Sequence, residues 1–215
     1  MIADTLALTK LAAETAGVKL FRHGERSCDP FGDAEWLTVA EAFQRHAGID
    51  LLATISIDGA PDRDALAKQC GFQPATDEDW SDIFAKILTE KIEPQLGNGR
   101  LTVLYHYPRP EAALARACAL DPRVAERFEL YACGVELANG FGELTDPVEQ
   151  RTRLDAEMAK KARIYGELYP LDEEFLAALA RMPPAAGVAL GFDRLVMLAT
   201  GAPHIRDVLW TPPLT

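Results

Sequence analysis

Residues 127–146 read as two extended segments, FELYA and VELANGF, separated by Cys133 and Gly134. Aromatic and β-branched residues favour strands, and a two-residue connection ending in glycine favours a tight turn, so this stretch is expected to form a β-hairpin. Alternate side chains of a strand share a face. In either register open to a two-residue loop, Glu129 and Glu136 fall on the same face. Two carboxylates held together are costly unless a cation sits between them, and hard oxygen donors suit Mg²⁺, which a nucleotide's phosphates would share. A strand face with two solvated glutamates is the plain alternative.

The outgoing strand continues with Asn139, Phe141 and Glu143 at alternate positions around Gly140 and Gly142. Such a set could hold an ammonium-bearing substrate: the carboxylate pairs with the cation, the ring supplies an apolar or cation-π wall, and the amide orients a polar group. Strict alternation puts these three on the face opposite Glu136. Both sets reach one pocket only if Asn139 and Gly140 form a bulge or bend. A glycine-rich hairpin end without a ligand is the alternative. Later, GVALGFD leads into Arg194, so a strand of small residues delivers an arginine at a helix start. That arrangement suits phosphate or adenine contact, with Arg194 lying along a triphosphate and stabilising charge during transfer to a carboxylate. The glycine spacing is neither G-x-G-x-x-G nor a P-loop, which sets aside dinucleotide and P-loop readings.

Around these motifs, apolar spacing and stop signals predict helices over residues 2–16, ended by Gly17, and over 38–46, opened by the box Thr38 to Glu41 and ended by Gly48. Further helices are expected over 62–70, over 77–93 with Thr76 as cap, over the alanine-rich 111–120, over 146–165 with Pro147 in the first turn, and over 172–181 and 193–200. Residues 101–107 and 187–192 read as strands, and 22–36 as a loop. Helices interleaved with an antiparallel hairpin argue an α+β fold in a single domain over 1–215.

A net charge of −11 repels phosphate backbones, so direct nucleic-acid binding, tRNA included, is disfavoured. The four cysteines, Cys28, Cys70, Cys118 and Cys133, form no metal-binding spacing. No apolar run approaches the ~18 residues a bilayer demands and no secretory signal opens the sequence, so a cytoplasmic location with no membrane contact is expected.

The stretch AERFELYACGVELANGFGELTD with its following E-x-x-R helix, and GVALGFDRLVMLATG with HIRDVLW, resemble the last two conserved blocks of the lysyl-tRNA synthetase catalytic core, including class II motif 3. LANGF and GVALG, with Ala189 where true lysyl-tRNA synthetases usually have glycine, are most similar to the elongation factor P lysine ligases of that family. Weaker similarity runs back through LYHYP and LTVAEAF to near residue 1.

The resemblance implies a class II synthetase-like antiparallel sheet with flanking helices. It implies that Glu129, Glu136 and Leu137 contact ATP or its Mg²⁺, that Asn139, Phe141 and Glu143 line the lysine site beside Ala189, and that Gly191 and Arg194 complete the ATP pocket. The implied reaction is adenylation of lysine or β-lysine, then transfer to a lysine of elongation factor P; a catalytically inactive fragment or paralogue that binds nucleotide or a protein partner, and a lysine–tRNA ligase, are the alternatives. A homodimer is compatible with it. Motif 1 and the F-R-x-E strand of motif 2 are not found, and Arg22, Glu25 and Arg26 do not supply the latter, so the domain is expected to be incomplete on its N-terminal side, with exposed ladder edges.

Overall fold

The computed structural model describes residues 1–212. Its elements are α1 (Ile2–Ala16), β1 (Phe21–His23), β2 (Arg26–Asp29), β3 (Glu35–Thr38), α2 (Val39–Ala47), α3 (Arg63–Gln69), α4 (Trp80–Ile87), β4 (Gly99–Arg100), β5 (Thr102–Pro108), β6 (Val124–Ala132), β7 (Val135–Gly142), α5 (Pro147–Tyr165), α6 (Glu173–Leu179), β8 (Ala186–Leu190) and α7 (Phe192–Thr200). The main sheet has the order β3-β5-β6-β7-β8, parallel only between β3 and β5, and a smaller sheet joins β1, β2 and β4. The fold is α+β, as the sequence argues.

Each face of the main sheet buries its own core. On one, Leu37, Leu104, Tyr107 and Tyr131 pack against Phe43, Ile83, Phe84 and Ile87 from α2 and α4. On the other, Val103, Phe128, Leu130, Leu137 and Ala138 meet Ala13 of α1 and Leu195 and Leu198 of α7. The β6–β7 turn sits at Cys133 and Gly134, both with positive φ (54° and 73°), the mirror-image turn whose twist matches the flanking strands. Several helix ends fall where side-chain chemistry places them. The Thr38 hydroxyl accepts from Glu41 N–H at 3.1 Å while the Glu41 carboxylate accepts from Thr38 N–H at 2.8 Å. Asp146 caps α5, and Gly17, Gly48 and Gly201 terminate helices in the left-handed conformation.

Three expectations are corrected. Residues 22–36 are not a loop: they contain β1, β2 and β3, strands too short and too polar to show alternation. The helix expected over 77–93 starts at Trp80, because Asp79 rather than Thr76 accepts from the Asp82 N–H and forms a capping box with that residue. It then widens into a π-helical turn at Leu88–Ile92 and a 3₁₀ turn at Glu93–Gln95, where Pro94 has no N–H to continue the ladder. The alanine-rich 111–120 is not helical. Its backbone is taken up by the hairpin instead: Arg116 N–H donates to Gly142 O at 2.8 Å and Glu126 N–H to Arg116 O at 2.9 Å. Alanine's helix preference is a weak prior, and pairing of main-chain groups with a neighbouring strand overrides it here.

Candidate active site

The register of β6 against β7 decides which side chains meet. Tyr131 lies opposite Glu136, but Leu130 lies opposite Ala138, so Leu137 is an extra residue. This bulge stands two positions before the one expected at Asn139 and Gly140. Gly191 N–H donates to Leu137 O at 2.8 Å, giving the displaced carbonyl a partner. Beyond the bulge, Glu129 pairs with Asn139 and Asn139 with Ala189; Arg127 pairs with Phe141 and Phe141 with Gly187. Glu129, Glu136, Asn139, Phe141 and Ala189 therefore share one face.

Glu129 is 5% exposed and fully engaged. Its Oε1 accepts from Arg127 Nη2 at 2.7 Å and Asn139 Nδ2 at 3.3 Å, and its Oε2 accepts from the Tyr131 hydroxyl at 2.6 Å. The Tyr131 hydroxyl also lies 3.4 Å from Glu93 Oε1. Burial, and then the charge of Glu129, push the Glu136 carboxyl above the usual range, with Arg194 opposing. Glu93 is raised by the same two causes in the same order. Arg127, Tyr131 and Glu93 are the members that sequence reasoning missed. The first two flank Glu129 at positions i−2 and i+2, so alternation alone could have found them; Glu93 arrives through the π and 3₁₀ turns, which leave no local signal.

The remaining residues divide between two ends of this face. Glu143 continues from β7, its N–H donating to Ala185 O at 3.0 Å. Its carboxylate covers Gly187, where an added Cβ would stand 2.9 Å from Glu143 Oε1. The neighbouring ion pairs join Arg127 to Glu129 and Arg194 to Glu136, and Glu143 has no ion-pair partner among the described residues. Phe141 is half-buried against Ala112, Ala115 and Ala125. At the other end Arg194, 46% exposed, donates through Nη1 to Glu136 O at 2.9 Å and to Glu136 Oε2 at 3.3 Å. The Leu137 side chain is 1% exposed and belongs to the opposite core, so any ligand contact it makes runs through its main chain.

The donor chemistry suits a hard divalent cation. Glu136 carries a carboxylate beside Glu129, whose oxygens already accept from Arg127, Asn139 and Tyr131, and among the described residues no group of three or more His, Cys, Asp or Glu is placed to hold a metal ion. Phosphate oxygens and water would complete such a shell. Because folded Glu93 holds its proton more tightly than an unfolded glutamate, its contribution to stability falls as pH rises from the ordinary glutamate range through its raised value. Glu93→Gln is therefore expected to melt above the wild type at neutral pH, and the difference should close on acidification to about pH 4. Thermal melts of both proteins at the two pH values check this; a variant less stable at neutral pH would show that the Glu93 charge is compensated.

The family described as tRNA synthetases class II (D, K and N) matches residues 29–215. An elongation factor P–(R)-β-lysine ligase of Klebsiella pneumoniae is 46% identical over 184 residues, 85% of this chain and 55% of the relative. The protein of the same name from Salmonella arizonae is 45% identical over the same shares. The chain thus spans about half the length of the curated relatives it matches. No helix among the described residues is long and apolar enough to cross a membrane. With the family matched over residues 29–215, this chain belongs to the class II tRNA synthetases of the D, K and N group.

Proposed function

We propose that this chain carries the nucleotide- and amino-acid-binding face of a ligase that activates lysine or β-lysine with ATP and passes it to a lysine of elongation factor P. The observation that carries this reading is the sheet face shared by Glu136, Asn139 and Phe141, with Arg194 paired to Glu136 at one end and Glu143, without an ion-pair partner among the described residues, following Phe141 at the other. Glu143 receives the side-chain ammonium of the amino acid, and Phe141 walls the aliphatic stem. Ala189, exposed opposite Asn139, adjoins the backbone end of the substrate, where lysine and β-lysine differ. Arg194 lies along the triphosphate, and Gly191 leaves room for it: a Cβ there would meet only ordinary contacts, 3.4 Å or longer, so the fold itself does not demand glycine. Mg²⁺ held by Glu136 and Glu129 would neutralise phosphate charge.

In the reaction, a carboxylate oxygen of the amino acid attacks the α-phosphorus and pyrophosphate leaves. The acceptor amine then attacks the acyl carbon, releases AMP and loses a proton. The names of the relatives support elongation factor P as acceptor, and the charge of −11 favours a protein over tRNA. The alternative reading is ligand binding without turnover.

Calorimetry with ATP and Mg²⁺, then with lysine and β-lysine, tests the face. Arg194→Ala is expected to weaken ATP binding by about tenfold or more while sparing lysine, and Glu143→Ala to do the reverse. Exchange of pyrophosphate into ATP then separates the ligase from the binding-only reading. Folded wild type that binds neither ligand would overturn both.

A further inference from the structure

Arg127 has no part in the reaction as proposed, yet it bonds both Glu129 and Asn139. Its guanidinium stands 4.2 Å from the centre of the buried Tyr107 ring. Nη1 donates to Glu111 O at 2.6 Å, Nη2 to Glu129 Oε1 at 2.7 Å, and Nε to Asn139 Oδ1 at 3.4 Å. Asn139 closes the ring of contacts by donating from Nδ2 to the same Glu129 oxygen at 3.3 Å. The side chains of Arg127 and Glu129 are 16% and 7% exposed, so solvent offers little competition for these bonds.

An asparagine amide is nearly symmetric in shape but not in chemistry. A half-turn about its last bond exchanges an acceptor for a donor pair. Arginine only donates and an ionised glutamate only accepts, so the two together admit one orientation, oxygen toward Arg127 and nitrogen toward Glu129. The second Nδ2 hydrogen is then left for a ligand. We propose that Arg127 is a positioning residue that fixes the Asn139 amide with its N–H outward, so that the site accepts an anionic or carbonyl oxygen of the amino-acid substrate at that point. This rests on the reading of Asn139 as lining the amino-acid site.

Lysine keeps the charge opposite Glu129 but cannot reach the Asn139 oxygen, the Glu111 carbonyl and Glu129 together, because its donors radiate from one nitrogen. Arg127→Lys is accordingly expected to bind ATP with Mg²⁺ within about twofold of wild type, yet to bind lysine about tenfold more weakly; Arg127→Gln should lose more. Calorimetry reads both affinities. Wild-type lysine affinity in Arg127→Lys would overturn the proposal, and so would an equal loss of both ligands, the mark of a merely structural role. Should wild type bind neither ligand, the functional reading fails, and a double-mutant cycle still tests the clamp: urea midpoints of Arg127→Lys, Asn139→Ala and the double variant should be non-additive, and additive shifts would sink it.

Discussion

Replacing Glu129 by alanine is expected to lower stability by about 3 kcal/mol and to abolish lysine binding, the larger part of the stability loss coming from Arg127 rather than from the deleted side chain. The Arg127–Glu129 pair is close, at 2.7 Å, and both partners are mostly buried. Removing the carboxylate leaves a mostly buried guanidinium beside the Tyr107 ring with only the Glu111 carbonyl and the Asn139 amide oxygen as acceptors, neither of them charged, and strips the Tyr131 hydroxyl of its short hydrogen bond. Glu129→Gln separates the contributions. The amide keeps an acceptor for Tyr131 or Arg127 but not the charge, so its loss should fall between those of wild type and alanine. Urea unfolding of the three proteins is the measurement. A loss below about 1 kcal/mol in the alanine variant would mean that Arg127 reaches water at little cost.

Gly97→Ala should be as severe, through the backbone. Gly97 has a φ of 67°, in the left-handed region that costs a residue with a Cβ about 1–2 kcal/mol. It also lies under the hairpin end. A Cβ would stand 2.5 Å from Ala132 Cα and 2.7 Å from Tyr131 C, main-chain atoms that cannot turn aside as a side chain would. The Gly97 carbonyl accepts from Cys133 N–H at 2.8 Å and the Leu96 carbonyl from Gly134 N–H at 2.9 Å, so movement here is passed directly to the turn that registers β6 and β7. Overpacking adds about 1–3 kcal/mol to the strain, for an expected total of roughly 2–5 kcal/mol from a domain that holds about 5–15. The same urea series reads it, and a variant within about 1 kcal/mol of wild type would show that the hairpin tip can shift without loss.

The elements legible in the sequence are those fixed by local chemistry. The Thr38 box, the helix start with Pro147 in its first turn, the turn at Cys133 and Gly134 and the glycine stops each need only a few neighbouring residues, and each forms where its residues predict. The failures need distant partners. Residues 111–120 look helical by composition, but their N–H and carbonyl groups are claimed by β6 and β7. In the site, Glu129 and Glu136 could be placed together because a two-residue loop allows few registers. Asn139 and Phe141 could not, because the bulge rests at Leu137, an apolar residue with no mark of its own, and depends on Gly191, far along the chain. Glu93 was invisible for a similar reason: it sits where a helix widens, and only the folded chain brings it to Tyr131.

The bulge at Leu137 makes the site sensitive to counting. Substitutions along β7 change one contact at a time, so their effects are graded. Insertion or deletion of one residue between Glu136 and Asn139 would instead exchange the two faces of everything that follows. Ala138 and Gly140 would then meet the ligand, while Asn139 and Phe141 would enter the core now built around Phe128 and Leu198. No series of small steps joins the two arrangements. Among related sequences, the length of this short interval should therefore vary less than the identity of the residues within it.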